Sequence, residues 1–155
     1  MDSDEMARRC ADSMFARDKA SRDLGITVEV SEAGGARARM QVSDAMINGL
    51  GVCHGGYIFT LADSAFAFAC NGYDRVTFAA GATIEFLLAA RLGDSLVAEA
   101  SESYRGKRSG IYDVAVHNQD GHLVALFRGR SRITEAAVIR GDIRGDRDQQ
   151  GHSDT

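Results

Sequence analysis

The chain has 155 residues, 45% of them hydrophobic and 26% charged, which is the make-up of one ordinary globular domain with a single core. A formal net charge of −4 excludes a global attraction to nucleic acid or to an anionic membrane, so any anion site must be local. Three cysteines, Cys10, Cys53 and Cys70, are too few and too odd in number for a disulfide framework.

Residues 4–22 are charged and alanine-rich, with Met6, Cys10, Met14 and Phe15 near helical spacing. This predicts an N-terminal surface helix, ended by Leu24-Gly25. The opening MDSDEMARRC is acidic and polar, unlike a secretory leader, and no apolar run is long enough to span a bilayer. The expectation is a reduced, cytoplasmic protein. ITVEV (26–30) alternates like a strand, Gly34-Gly35 turns the chain, and ARARMQV (36–42) returns it. Residues 43–54, with Asn48, Gly49 and Gly51, read as a loop.

Residues 55–70, GGYIFTLADSAFAFAC, are too long and too rich in Ala, Leu and Phe for one strand. They predict a helix that is apolar around most of its axis and stopped by Asn71-Gly72. Residues 76–88, 93–104, 110–118 and 122–134 are strand-like, and the short turns between them imply antiparallel neighbours. The tail after Ile139, RGDIRGDRDQQGHSDT, is charged and reads as disordered. The expected division is a folded domain over 1–138 and a tail over 139–155. An α+β fold, one antiparallel sheet with the apolar helix packed across it, uses every element. A helix that is apolar all round needs a second cover, which a partner subunit could supply.

Asp63 interrupts the apolar helix. A buried carboxylate must be paired or must serve chemistry. It is therefore either a structural Asp satisfied by Thr60, Ser64 or a backbone amide, or a general base or nucleophile in a partly dry site. His54-Gly55-Gly56 opens the same helix. First-turn amides have no partner inside a helix and carry the positive end of its dipole, so they can polarise a carbonyl oxygen. Eight residues separate Gly55 from Asp63, about 12 Å along a helix. One helix cannot bring both ends to one carbonyl, whereas two antiparallel copies could, so a catalytic pair implies a homodimer interface.

Asn48 and His54 could orient substrate or water, and Cys53 is a conceivable nucleophile without an evident basic partner. Metal-ligand spacings, a Walker motif and GxGxxG are all missing. Arg105, Lys107 and Arg108 sit in the turn YRGKRSG, and Arg128, Arg130 and Arg132 recur at spacing two on one strand face. They are solvated surface charge or a site for a phosphorylated ligand.

The run NGLGVCHGGYIFTLADSAFAFACN, followed by GDSL, GKRSGIYDV and VALFRGRS, resembles the PaaI-type acyl-CoA thioesterases of the hotdog superfamily over residues 10–135. The resemblance implies a long central helix, preceded by an N-terminal helix and wrapped by an antiparallel sheet of five to six strands. It implies homodimers with shared active sites, paired further into tetramers. The implied reaction is hydrolysis of coenzyme A thioesters, with phenylacetyl-CoA and its ring-hydroxylated forms as substrates in the phenylacetate branch. The family's catalytic carboxylate maps to Asp63, its carbonyl-polarising amide to Gly55 of the opposite subunit, and its further catalytic positions to Asn48 and His54. Substrate-binding positions map to Gly56, Gly106, Lys107 and Arg108, with Arg128 beside them. No cofactor is implied, since coenzyme A is part of the substrate, and neither nucleic acid nor a membrane is an expected partner.

The chain departs from relatives in having no proline after its IxF strand, where it reads EFLLAARLGD. Where some related sites carry a water-binding Ser, TFAAGATIEF offers only Thr77 or Thr83. Two rival readings keep the fold: a non-catalytic acyl-CoA-binding or sensing protein, and a hydratase or dehydratase using His54 as base.

Overall fold

The computed structural model describes residues 1–139, so the expected tail lies outside the described residues from 140 onward. Helix α1 is Ser3–Phe15 and α2 is Lys19–Asp23. Strands β1 (Thr27–Glu29) and β2 (Gly35–Gln41) follow, then α3 (Gly55–Cys70). The remaining strands are β3 (Thr77–Phe86), β4 (Ser95–Arg105), β5 (Ser109–His117) and β6 (Leu123–Ile133). The strands form one six-stranded antiparallel sheet in the order β1-β2-β4-β5-β6-β3, and α3 lies along its inner face. This is the α+β hotdog architecture that the resemblance implied, and the four later strands begin and end within two residues of expectation.

Period-two alternation explains the packing. Ala36, Ala38 and Met40 of β2, Leu96, Ala98 and Ala100 of β4, and Tyr112, Val114 and Val116 of β5 all point inward and are buried. The alanines under α3 let the helix approach the sheet closely. Phe66 of α3 meets Tyr112 and Phe127 with ring centroids 5.6 and 5.9 Å apart, and these three rings fill the centre of the core. The outer sheet face carries the intervening polar residues, as an antiparallel sheet covered on one side should.

The single N-terminal helix expected over 4–22 is in fact two. Asp18 breaks it: its carboxylate accepts from the Ser21 amide at 2.9 Å and from the Ser21 hydroxyl at 2.7 Å, capping α2. The Ser21 hydroxyl also bonds that of Ser64 at 2.8 Å, docking α2 on α3. Phe15 of α1 packs against Phe68 of α3. The side of α3 away from the sheet, expected to need a partner subunit, is thus partly covered by the chain's own N-terminus. A stripe of Gly56, Thr60, Asp63 and Ala67, at helical spacing along one face, stays accessible.

Strand β3 ends the sheet. From Phe78 to Phe86 it is exposed, with Ile84 half-buried, although its sequence is apolar. A long unpaired apolar edge is a template for pairing with another strand. Among the described residues no helix is long and apolar enough to cross a membrane.

The centre of the core leaves no room at Gly129, where an added Cβ would lie 2.8 Å from two carbons of the Phe66 ring. Replacing Gly129 by Ala is expected to cost about 1–3 kcal/mol through overpacking. Urea unfolding of Gly129→Ala against the parent checks this, and an unchanged midpoint would refute the tight contact.

Candidate active site

Asp63 sits two turns into α3, half-buried, and its carboxylate makes no hydrogen bond or ion pair among the described residues. Both side chains that could have satisfied it locally are committed elsewhere. The Thr60 hydroxyl donates to the Gly56 carbonyl at 2.9 Å, and Ser64 bonds Ser21. Burial pushes the Asp63 carboxyl above its ordinary range, because a desolvated carboxylate is poorly stabilised.

The carboxylate faces a cavity of about 250 Å³, otherwise mostly apolar, between α3, α1 and the first residues of β3. Phe66, Phe78, Ala79 and Met14 supply much of its wall. Cys70 lines it too, and burial raises that thiol to about 12, so it stays protonated. Of the two candidate hydroxyls, Thr77 shares this cavity and donates to the Arg75 carbonyl. Thr83 instead faces the groove on the outer side of the sheet.

The start of α3 is built by the loop before it. Asn48 Oδ1 accepts from the amides of Leu50 at 2.9 Å and Val52 at 3.3 Å, closing the loop on itself. His54 is the N-cap, and its Nδ1 accepts from the Gly56 amide at 2.9 Å. That bond fixes the neutral ring with its proton on Nε2. It also consumes the Gly56 donor, so the Gly55 amide is the one left free at the helix start among the described residues. The Phe86 ring lies over Gly55, where an added Cβ would be 2.9 Å from Cζ. Cys53, weighed as a nucleophile, is buried, and burial raises its thiol, which disfavours thiolate.

The basic residues divide. Gly106, Lys107 and Arg108 line an open basin of about 810 Å³ together with Arg75, Arg105 and Arg132. Arg128 stands apart from it. Its guanidinium grips Asp113 through two bonds, at 2.8 and 3.0 Å, and the Ser103 hydroxyl donates to the same carboxylate. These donors hold Asp113 below its usual range. The β5–β6 register decides the split, setting Arg128 opposite Asp113 but Arg132 opposite Ser109.

Arg132 was visible in the spacing-two run, but Arg75 was not: it is a lone cation in a loop until the fold brings it beside the turn after β4. Met14, Cys70, Phe78 and Phe86 likewise carried no signal beyond being apolar.

A profile of the Thioesterase superfamily matches residues 50–125. The acyl-coenzyme A thioesterase PaaI of Escherichia coli K12 is 42% identical over 121 residues, which cover 78% of this chain and 86% of that protein. The E. coli PaaI structure, described as from the phenylacetic acid degradation operon, superposes with a TM-score of 0.86 at 38% identity, covering 88% of this chain and 99% of that one. A Streptococcus mutans UA159 protein bound to acetyl CoA superposes with a TM-score of 0.69 at 27% identity, covering 72% of this chain and 90% of that one.

Because the carboxyl of Asp63 is raised in the folded chain, the folded state binds that proton more tightly than the unfolded state. Its ionisation therefore erodes stability as pH rises through the unfolded and then the folded value. Asp63→Asn should match the parent's melting temperature at low pH, below both values, and exceed it increasingly towards neutrality. Parallel melts across that range test the sign, and a gap that closed towards neutral pH would contradict it.

Proposed function

The chain belongs to the PaaI-type acyl-CoA thioesterases of the Thioesterase superfamily, and we propose that it hydrolyses aryl-acetyl thioesters of coenzyme A at a site shared by two copies. The observation that carries the shared site is the layout of β3. Its first residues, Thr77, Phe78 and Ala79, wall the Asp63 cavity, and its last, Phe86, lies over Gly55. Two such exposed edges pairing antiparallel about a two-fold axis would set the Phe86 end of one strand beside the Thr77 end of the other. The free Gly55 amide of one copy would then approach Asp63 of its partner, which one helix cannot achieve over about 12 Å.

In this reading the thioester carbonyl accepts a hydrogen bond from the Gly55 amide, reinforced by the helix dipole. Asp63 of the other copy takes a proton from water as the water oxygen bonds to the carbonyl carbon. The tetrahedral oxyanion collapses, the C–S bond breaks, and the proton passes from Asp63 to the departing thiolate. Direct attack by Asp63, through a mixed anhydride, uses the same carboxylate. A raised carboxyl suits either path, being a better base and nucleophile than a solvated one.

Asn48 keeps its side-chain amide N–H groups for substrate or water while its oxygen holds the loop. His54 acts by capping α3, because the Nδ1 lone pair a base would use is engaged by Gly56. That engagement disfavours the hydratase reading. The apolar wall containing Phe66 and Phe78 supports an aromatic acyl group, as does the operon from which the E. coli relative comes. Lys107, Arg108 and the rest of the basin would hold the phosphates of coenzyme A. Dimers sharing sites, paired into tetramers, complete the proposal.

A panel of acyl-CoAs, phenylacetyl-CoA included, is tested by following free thiol. Release should be fastest with aryl-acetyl thioesters, and a wild-type protein that released none would end the enzyme reading in favour of a binding protein. Asp63→Asn and Asp63→Ala should each lower kcat about 10²- to 10⁴-fold.

Gly55→Pro removes the carbonyl-polarising N–H from the first helical position, whose backbone suits proline. Its Cβ must push aside the Phe86 ring, so Gly55→Ala, which meets the same ring but keeps the N–H, is the control and should retain most of kcat. His54, at φ −59° and ψ 130°, already has the backbone a preceding residue needs. Gly55→Pro should lose about 10²- to 10³-fold in kcat. Mixed dimers of Asp63→Ala with Gly55→Pro regain one intact site if the site is shared. Demonstrated mixed dimers without recovery would refute that geometry.

A further inference from the structure

Glu102, on β4, is placed between two tyrosines. The Tyr73 hydroxyl donates to its Oε2 at 2.8 Å, and the buried Tyr112 hydroxyl donates to its Oε1 at 3.0 Å. Both carboxylate oxygens are thus occupied, which anchors the Tyr73 ring in the loop after α3. On that ring lies Arg105, with Cζ 3.8 Å from the centroid, a close cation–π contact.

A second feature guards the same place. At Gly34, where φ is +81°, an added Cβ would come within 2.8 Å of Glu102 Oε2 and 3.0 Å of the Tyr73 hydroxyl. The chain keeps a glycine where any side chain would wedge apart the hydrogen bond that holds Tyr73.

The mode of holding matters chemically. Arg128 is fixed by a carboxylate, so part of its N–H fork is spent on Asp113. Arg105 is fixed by a ring face, and none of its N–H groups donates to a side chain or carbonyl among the described residues. It also lines the basic basin. A guanidinium that is already ordered but still has its donors loses less entropy on meeting a phosphate than one free in solvent.

We propose that Glu102 and Tyr73 are positioning residues that hold Arg105 ready for a phosphate of the nucleotide end of coenzyme A, and so favour thioesters that carry the nucleotide over those that lack it. This rests on the acyl-CoA reading above.

The test uses the full chain and two readouts. In calorimetry with adenosine 3′,5′-bisphosphate, Tyr73→Leu and Arg105→Gln should each weaken binding about three- to ten-fold. Tyr73→Phe, which keeps the ring under the guanidinium, should stay closer to wild type. Since Tyr73 acts through Arg105, Tyr73→Leu should add little in the Arg105→Gln background. In turnover, with one acyl group carried either by coenzyme A or by pantetheine, Tyr73→Leu should raise KM for the CoA thioester alone and leave kcat unchanged for both.

A full additional loss in the double variant, or an equal rise in KM for both thioesters, would overturn the proposal, because a merely structural tyrosine behaves that way. Should Tyr73→Leu fail to fold, Glu102→Gln takes its place, with a smaller weakening that must also vanish without Arg105. Wild type that binds the bisphosphate but hydrolyses neither thioester defeats the thioesterase reading and spares this one. Wild type that hydrolyses both but does not bind the bisphosphate does the reverse.

Discussion

A carboxylate held half-dry on an apolar helix, with nothing among the described residues to satisfy it, is the constraint around which this molecule is arranged. Desolvation raises the free energy of ionised Asp63, and the usual remedy is a neighbouring donor. Here Thr60 bonds back to its own helix and Ser64 bonds Ser21 of α2. The polar neighbours are spent on backbone satisfaction and on docking, while Asp63 keeps its lone pairs and opens on a cavity. Packing of the N-terminal helices against α3 has the same consequence, for it covers the far side of the helix and leaves Gly56, Thr60, Asp63 and Ala67 as the accessible stripe.

Strand β3 extends this logic beyond one chain. It is the edge of the sheet, apolar and exposed, and it runs from the wall of the Asp63 cavity to the glycine at the start of α3. An edge of this kind is costly to leave unpaired. The sheet edge that invites a partner and the helix that separates donor from carboxylate therefore point to the same antiparallel pairing. Helix capping serves the site in a comparable way. By taking the Gly56 amide, His54 leaves the Gly55 amide as the donor without a partner among the described residues.

The cations show how register sorts residues that look alike. Arg128, Arg130 and Arg132 share a strand face, yet Arg128 is neutralised across the ladder by Asp113 while Arg132 lines the basin. Arg105 is held by a ring and keeps its donors. Charge count along the chain therefore says less about anion binding than the partner each charge meets.

The sequence by itself determined the elements and most of their bounds, because amphipathic period and turn chemistry are local: α3 begins and ends where Gly55 and Asn71 say it should. It also singled out Asp63 and Gly55, since a charge inside an apolar helix and a glycine pair before one are visible without a fold. It misjudged residues 4–22 as one helix, because Asp18 is indistinguishable from a surface acid until its carboxylate turns back on Ser21. Tertiary structure alone decided that Asp63 has no partner among the described residues, that Arg75 joins the basin, that Arg128 stands apart from it, and that Tyr73 and Glu102 stand behind Arg105. Each of those outcomes depends on which atoms are brought together across the sheet, and contact between residues far apart in the chain leaves no periodic trace in the order of the residues.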